Sequence, residues 1–478
     1  MKIFKSSSSI FLSLILLGLA FSSFLPVAVE AATLTVPTTY PTISAALTAA
    51  TAGDVIDIAA GTYSENIIIN KSVTLRGPNF GINPNSGADL SIVNPSRVAG
   101  AILTPVSGAA IAITPGTNNV VIDGLDFKNF VGNALSFKEA NDLQFLNNNI
   151  SNVTLGINGG GIIDSCCTVA PNASNLSIKN NRLQNPVAIT GVSAMQLKQT
   201  NNLMVSDNFI SKFDRGIQLD NNNTATVSGN TIEDINLQGI QLAFVISDTT
   251  ITKNIIRRAN INKEYQTGAI RLYGSKFSGA INIVDNILDN SYNGIATVAF
   301  LNDLSNKNIT ISKNTISNNI NIGIRHHGDG AFLPLTKNIF IGNGLDIDHE
   351  SGLINPVNLI AVGVGFDNLN GNTYSVTNQN DINAVEKKIR HNCQTSTFIH
   401  GVCNDATNET TLTFRDLPVI LKYASVQYAL NASVVPPSIT LSNTGDSLLT
   451  LPLIGILLLG AGGVGFFTLR KGFGKLNS

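Results

Sequence analysis

The 478-residue sequence has no tryptophan, only eight tyrosines and four cysteines, and charged residues make up just 13% of it. The formal net charge is -1, so the chain lacks the basic excess that nucleic-acid binding requires. We therefore expect no nucleic acid among its partners. The shortage of aromatic rings also limits the flat stacking platforms that sugar sites commonly use.

What the sequence does contain is a short recurring phrase: a β-former, two small or polar residues, Asn, any residue, and Ile or Leu. One copy reads Val205-Ser-Asp-Asn208-Phe-Ile210. The central Asn recurs at positions 148, 181, 208, 230, 254, 286 and 314, so the steps vary between 22 and 33 residues. A constant core with variable spacing indicates a solenoid in which each repeat forms one coil and extra residues form loops.

A second phrase, glycine followed by alternating hydrophobic residues, precedes most copies, as in Gly216-Ile-Gln-Leu219. Its apolar period of two predicts short strands and excludes helical repeats. Strands of this kind, stacked ~4.8 Å apart, form parallel sheets around an apolar interior. The repeats resemble those of the pectin-lyase-like superfamily, which implies an all-β fold, a right-handed parallel β-helix, over residues 78–352.

The first 77 residues are predicted to form two segments. Residues 1–31 have the charged start, apolar run and small-residue end of a secretory signal peptide. Residues 32–77 are expected to hold an N-terminal capping helix and the first coils. Ile43, Ala46, Leu47 and Ala50 fall on one helical face, and Gly53 is placed to end the helix. The phrase at 61–65, Gly-Thr-Tyr-Ser-Glu, resembles a structural turn of bacterial β-helix proteins that include the pectin methylesterases.

The last 126 positions, 353–478, are predicted to plug the solenoid and anchor it. Residues 353–432 form a C-terminal cap region with a helix from Asp381 to Ile389, and residues 433–447 a stalk. Residues 448–469 are apolar throughout and long enough to span a bilayer as a helix. The basic tail, 470–478, favours a cytoplasmic C-terminus and an exported, cell-surface β-helix.

The four cysteines, in a chain expected to be exported, suggest disulfides. Cys393 and Cys403 flank a short loop and are the expected pair. Cys166 and Cys167 are adjacent, which would strain a bridge between them, so their pairing stays open.

The candidate functional residues lie between the hydrophobic positions of the second phrase, where alternation should direct side chains to solvent. Planar amides and guanidinium groups there would suit hydroxyl- and carboxylate-rich sugars. The competing interpretation is that they only keep an exposed strand soluble. The predicted glycan-binding residues are Gln196, Gln218, Asp220, Gln241, Arg271, Tyr273, Arg325 and His327.

A catalytic interpretation of the same surface uses Lys198, Asp220, Arg271 and His327 as acid-base or charge-stabilising groups. The diagnostic phrases of pectin methylesterases and polygalacturonases are absent. Asp220 with Lys198 and Arg271 supplies too few carboxylates for Ca2+, so no metal and no cofactor are expected unless the protein is a Ca2+-dependent lyase.

The favoured hypothesis is a non-catalytic surface protein, anchored by one C-terminal helix, that presents a polar strip to a polysaccharide or cell-surface glycan. Two alternatives remain. One is a polysaccharide lyase or glycoside hydrolase acting on an acidic polysaccharide, and the other is a structural envelope protein.

Overall fold

The computed structural model describes most of the repeat region and short parts of the C-terminal third. The described residues are 31–85, 89–160, 173–277, 279–298, 309–328, 335–351, 372–376, 389–391, 401–404, 409–414, 417–422 and 428–430.

The chain winds through three parallel sheets in each coil and then returns to the first sheet one coil further along. The first sheet has 12 strands. Its strands are Thr33–Val36, Val55–Ile58, Thr74–Arg76, Val121–Asp123, Gln144–Leu146, Ala173–Lys179, Thr200–Ser206, Ala225–Ser228, Thr249–Thr252, Ile281–Val284, Ile309–Ser312 and Leu335–Thr336.

The second and third sheets are joined by two long strands, Asp126–Lys138 and Asn149–Gly160, which run through both. The other second-sheet strands are Gly61–Tyr63, Ala101–Leu103, Arg182–Gln184, Phe209–Ser211, Thr231–Ile235, Ile255–Ala259, Ile287–Asp289, Thr315–Ser317, Ile339–Ile341, Thr373–Val376 and Tyr428–Leu430. The other third-sheet strands are Ile67–Ile69, Ile111–Ile113, Ser193–Lys198, Arg215–Asp220, Ile240–Ile246, Ile270–Phe277, Asn293–Val298, Ile322–Gly328, Leu345–Ser351 and Ile389–His391.

The recurring Asn forms a buried ladder between the first and second sheets. Asn208 donates its backbone N–H and its side-chain Nδ2 to Oδ1 of Asn230, at 3.0 and 2.9 Å, and Asn230 binds Asn254 in the same way. The ladder continues to Asn338 and Asn372, two members that the repeat template omits because Phe340 and Tyr374 stand where it requires Ile or Leu. The Asn side chain thus provides hydrogen-bond partners for backbone groups at the turn, which cannot pair within the sheets.

Two properties predict Asn at this turn: it tolerates left-handed backbone, and stacked amides can hydrogen-bond from one coil to the next. The second is confirmed, but the first is wrong for the ladder position itself. The left-handed residue is the one before it, as at Asp207, Gly229 and Lys313, whose φ angles are 56, 66 and 55°. The ladder Asn is needed because its amide both donates and accepts hydrogen bonds.

The glycine of the second phrase has a packing reason. A Cβ at Gly216 would lie 2.2 Å from the carbonyl oxygen of Gly239 in the next coil, and one at Gly294 would lie 2.4 Å from that of Gly323. Only glycine permits backbones to approach this closely. The inward residues that follow it are fully buried, among them Ile217 and Leu219, so the period-two prediction for the core is confirmed.

The predicted N-terminal helix is present as Ile43–Ala49, with Ile43, Ala46 and Leu47 buried. Thr42 accepts a hydrogen bond from Ala45 N, and the carboxylate of Glu65 accepts from Ile43 N and Ser44 N, so both cap the helix start. The helix packs against the first strands. Its role as a cap of the solenoid stays a prediction.

Parallel pairing continues beyond residue 352, where the repeat fades. Thr373–Val376 pairs with Ile339–Ile341, and Ile389–His391 pairs with Leu345–Ser351. Ile389, expected to end a helix, is therefore in a strand; the rest of that predicted helix lies outside the described residues. A small antiparallel sheet follows, formed by Gly401–Asn404, Glu409–Phe414 and Leu417–Lys422.

Several predicted segments fall outside the described residues. They are residues 1–30 of the predicted signal peptide (1–31), the loop with Cys166 and Cys167, Cys393, the side chain of Cys403, the stalk, the apolar segment 448–469 and the basic tail 470–478. Among the described residues, the structure contains no helix long and apolar enough to cross a membrane.

Candidate functional site

The outer face of the third sheet carries two parallel columns of side chains, which we call the strip. The strands pair in the register predicted from the repeats. The first column is Gln196, Gln218, Gln241, Arg271, Ala296 and Arg325. The second column is Lys198, Asp220, Ala243, Tyr273 and Val298, and the backbone of His327 pairs at the next position.

The expectation that the strip is open to solvent is wrong for part of it. Gln196, Gln218, Arg271 and Tyr273 are half-buried, but Asp220 is only 4% exposed and Arg325 only 2%. Gln241, at 6%, is also buried. Gln218 hydrogen-bonds Asp220, and Gln238 hydrogen-bonds Gln241. Arg325 instead lies under the ring of Tyr265, which belongs to a loop from another coil.

That loop, residues 260–268, connects the second-sheet strand Ile255–Ala259 to the third-sheet strand Ile270–Phe277. We call it the 260–268 loop. The ring of Tyr265 stacks on the guanidinium of Arg325, with 4.0 Å from Cζ to the ring centroid. The Tyr265 hydroxyl donates to Asp348 Oδ2 at 3.2 Å, one coil beyond Arg325. The loop therefore covers the strip at the coils that follow Arg271.

We call the part of the strip from Gln196 and Lys198 to Arg271 and Tyr273, which precedes the coils under the 260–268 loop, the open part. There, amide side chains form hydrogen bonds with Asp220 and Arg271. Gln218 accepts from the Ser193 hydroxyl and donates Nε2 to Asp220 Oδ2 at 2.9 Å. Gln241 Oε1 accepts from Gln238 Nε2 at 2.7 Å and from Arg271 Nη1 at 3.3 Å. These contacts fix the planes of the amides before any ligand arrives.

Asp220 is the most perturbed acid on the strip. Burial raises its pKa to about 6, against the opposing effects of Lys198, Gln218, Gln241 and Arg215. Its Oδ2 is held by Gln218, while its Oδ1 is buried without a hydrogen bond of good geometry to any described group. A carboxyl group with a pKa near 6 can exchange a proton close to neutral pH.

Arg271 lies at the end of the open part. Burial lowers its pKa; the like charge of Arg215 acts in the same direction, and Tyr273 and Glu264 oppose it. Its guanidinium stacks on Tyr273 at 4.4 Å, and Tyr273 in turn meets the edge of Phe244 at 6.3 Å. Arg271 Nε is buried and has no hydrogen-bond partner within the described residues.

A cleft of about 400 Å³ opens beside Arg271. It is lined by Arg215, Leu237, Gln238, Glu264, Tyr265, Gln266, Thr267 and Arg271. The adjacent residues Asp214 and Arg215 are expected from the sequence to form an ion pair, and they do, with 3.3 Å between Arg215 Nη1 and Asp214 Oδ2. The position of Arg215 in the cleft was missed, as was the whole 260–268 loop, because neither belongs to the repeat.

Lys198 and His327 are the two remaining candidate residues. Lys198 acts on Asp220 electrostatically, from the paired position on the adjacent strand. The side chain of His327 lies outside the described part of the chain, so its role stays a prediction. Within the described residues no three His, Cys, Asp or Glu side chains converge as metal ligands. Asp220, surrounded by amides and Lys198, does not make a site suited to Ca2+.

A comparison with protein-family models agrees with this architecture. A family model described as "Right handed beta helix region" matches residues 161–302. Together with the parallel sheets, it confirms the expected class of fold, a right-handed parallel β-helix. No curated protein matches the sequence.

Among solved structures, a DFA-IIIase mutant from Arthrobacter chlorophenolicus A6 in complex with DFA-III is similar at 11% identity and a TM-score of 0.36, covering 67% of this chain and 85% of that one. An alginate lyase from Paenibacillus sp. str. FPU-7 is similar at 12% identity and a TM-score of 0.32, covering 65% and 94%. The catalytic domain of a GH87 alpha-1,3-glucanase in complex with nigerose is similar at 17% identity and a TM-score of 0.36, covering 67% and 66%. A likeness at this level assigns no activity to the chain.

Proposed function

We propose that the protein is a surface-anchored β-helix that binds an extended, acidic glycan along the open part of the strip. The observation that carries this proposal is Arg271, a half-buried cation in a cleft with a second arginine, Arg215, nearby. Among the described residues, its guanidinium binds one amide oxygen, of Gln241, and stacks on one aromatic face, of Tyr273. Glu264 in the same cleft acts on Arg271 only through its charge; a carboxylate ligand would supply the planar pair of acceptors that the guanidinium can bind directly.

The neighbouring groups suit a sugar. Gln218, Gln238 and Gln241 form a fixed set of amides beside Arg271, and amides can pair with sugar hydroxyls as donor and acceptor together. Phe244, 38% exposed, and Tyr273 add an apolar edge. Because successive strands lie ~4.8 Å apart, the strip presents a repeating row to a chain that runs along the solenoid axis.

The test compares two matched variants on a panel of polyuronates and neutral polysaccharides. Arg271→Gln removes the charge from the strip, whereas Arg76→Gln makes the same change on the first sheet, where Arg76 pairs with Asp57. We expect Arg271→Gln to weaken binding of a polyuronate roughly tenfold or more, since hydrogen bonds to charged groups contribute about 1.5–3 kcal/mol. Arg76→Gln should bind like the parent.

Equal binding by both variants would contradict the role of the strip. If the parent binds no glycan of the panel, the result would favour the alternative of a structural envelope protein.

A second candidate function is favoured by Asp220 alone. A buried carboxyl group with a pKa of about 6, beside Lys198, has the properties of a general acid or base in a polysaccharide lyase or hydrolase. Reducing-sugar and unsaturated-uronate assays over the same panel test it. Product release that is lost in Asp220→Asn would establish catalysis and overturn the non-catalytic assignment.

The proposal includes export and anchoring through residues 448–469, with the strip outside the cell. It rests on the apolar composition of that segment and the basic residues after it. A chain truncated after residue 447 should leave the membrane fraction and appear in the culture medium. Retention of the truncated chain in the membrane would contradict the anchor.

A further inference from the structure

The strip is open at one end and closed at the other. In its first column, Gln196, Gln218 and Arg271 are half-buried and Gln241 between them is 6% exposed, but Ala296 and Arg325 are 0% and 2% exposed. The change occurs between adjacent coils, because Arg271 pairs directly with Ala296 and Ala296 with Arg325. A chain lying along this column from the Gln196 side would therefore meet an obstacle just beyond Arg271.

The obstacle is Tyr265. Its ring lies over the Arg325 guanidinium, and its hydroxyl binds Asp348, which is 1% exposed and in register with Arg325. The Tyr265 side chain therefore lies over Arg325 and Asp348. These are the positions in two successive coils along which a longer glycan would have to continue. The small Ala296 is the column position between Arg271 and Arg325, where a larger side chain would compete with the loop for space.

The 260–268 loop that carries Tyr265 is held in place by buried amides. Asn260 donates Nδ2 to the carbonyl oxygens of Glu264 and Thr267, both at 2.7 Å, and accepts from Glu264 N at 2.8 Å. Asn293 in the next coil donates to the carbonyl oxygens of Tyr265 and Thr267 at 3.1 and 2.7 Å. Both amides are almost fully buried. Five hydrogen bonds therefore oppose displacement of the loop by a ligand.

We propose that Tyr265 ends the binding strip, so that the cleft beside Arg271 receives the terminal unit of an acidic glycan and not an internal segment. The inference rests on the proposed glycan binding and makes it more specific. The cleft volume of about 400 Å³ is at the small end of ligand pockets, roughly 300–1,000 Å³. Arg271 at one side of the cleft, with Glu264 and Thr267 on the loop, would contact the last sugar unit, and Gln218 and Gln196 the units before it.

The test measures how many protein molecules bind one glycan chain. Size-fractionated oligogalacturonates and oligoalginates, from about four to forty units long, serve as probes, with the full chain kept in a mild detergent. End recognition predicts one protein per chain at every length, with an affinity that stops rising once the strip is filled. Internal recognition predicts a number of bound proteins that increases with length.

Two variants distinguish the role of the ring from that of the hydroxyl. Tyr265→Ala removes the obstacle, so we expect several proteins on a forty-unit chain. Tyr265→Phe keeps the ring over Arg325 and loses only the bond to Asp348, so it should still bind one per chain. Melting temperatures of both variants close to the parent's would show that the 260–268 loop and its coil remain folded.

The outcomes separate the two proposals. A parent protein that binds long chains in multiple copies would overturn end recognition while leaving glycan binding intact. A parent protein that binds none of the probes at low salt would overturn the proposed glycan binding and this inference together. Multiple binding by the parent and by Tyr265→Ala alike would show that the ring sets no limit.

Discussion

At the scale of single residues, Asp220 combines burial with a charge that the surroundings only partly compensate. Its pKa is raised from 3.8 to about 6, so the folded protein binds a proton more tightly than the unfolded chain does. The stability contributed by the protonated form is complete below about pH 4 and is lost as the pH rises through 6. At neutral pH the charged carboxylate therefore destabilises the fold.

Asp220→Asn should accordingly stabilise the protein at pH 7.5 by about 1–2 kcal/mol, less than the full value of the shift because the new amide brings a buried N–H donor that needs an acceptor of its own. The gain should vanish near pH 4, where the parent carboxyl is protonated. Thermal unfolding of both proteins at the two pH values checks this. A variant less stable than the parent at pH 7.5 would mean that Lys198 more than compensates the burial.

A second prediction at this scale concerns the left-handed residue before each ladder Asn. Lys313 adopts φ 55° there, a conformation that costs a non-glycine residue about 1 kcal/mol. Lys313→Gly should therefore stabilise the protein by up to about 1 kcal/mol, although the flexibility of glycine in the unfolded chain reduces the gain.

The matched control is Ser312→Gly, one residue earlier, in the extended strand Ile309–Ser312. There glycine relieves no strain and should cost about 0.5–1 kcal/mol. Urea midpoints that shift in opposite directions for the two variants are expected. Shifts in the same direction would refute the assignment of strain to Lys313.

At the scale of elements, the buried Asn ladder determines the register of the coils. Asn254 donates Nδ2 to Val227 O and Asn286 Oδ1, at 2.9 and 3.0 Å, and its Oδ1 accepts from the backbone and the side chain of Asn230. Removing this amide leaves buried backbone groups without partners, each costing about 1–3 kcal/mol. Asn254→Ala should therefore destabilise the protein by about 3 kcal/mol or more.

The exposed amide of Asn223 provides the control. Its Nδ2 binds Asn201 Oδ1 at 3.1 Å in an analogous stack between coils, but the side chain of Asn223 faces solvent. Water replaces that bond, so Asn223→Ala should cost less than about 1 kcal/mol. Similar losses for the two variants in thermal unfolding would indicate that burial is not what gives the ladder its strength.

Repetition explains which elements could be predicted. The Asn and Gly phrases recur at each coil, so they predicted the period-two core and the pairing of Gln218 with Gln241 and of Gln241 with Arg271. The covering of Arg325 could not be predicted in this way. It depends on Tyr265, a residue of a single non-repeating loop whose contact with Asp348 spans 83 residues of sequence.

At the scale of the whole molecule, each coil contacts mainly its neighbours, so the solenoid should tolerate loss of a complete coil. Residues 208–229 form such a unit, since the ladder step from Asn208 to Asn230 is 22 residues. Deleting them joins Asp207 to Asn230, which can then bind Asn181 as Asn208 did at 2.9 Å. Each remaining strand then still pairs with a strand of its own sheet.

We expect the 208–229 deletion to fold with the parent's strand content and a lower melting temperature, because one coil of apolar core is gone. Deletion of residues 208–218 alone should not fold, since it places strands of different sheets opposite each other and exposes the apolar faces. Far-UV circular dichroism and thermal unfolding distinguish the two. In the folded deletion Gln196 lies beside Gln241 and Lys198 beside Ala243, so the strip loses Gln218 and Asp220 and the cleft loses Arg215, while Arg271 and Tyr265 stay in place. If the strip binds the end of a chain beside Tyr265, this deletion should weaken the binding of short oligouronates, which lose the charge of Arg215, and should weaken that of longer ones more, because they lose the contact with Gln218 as well.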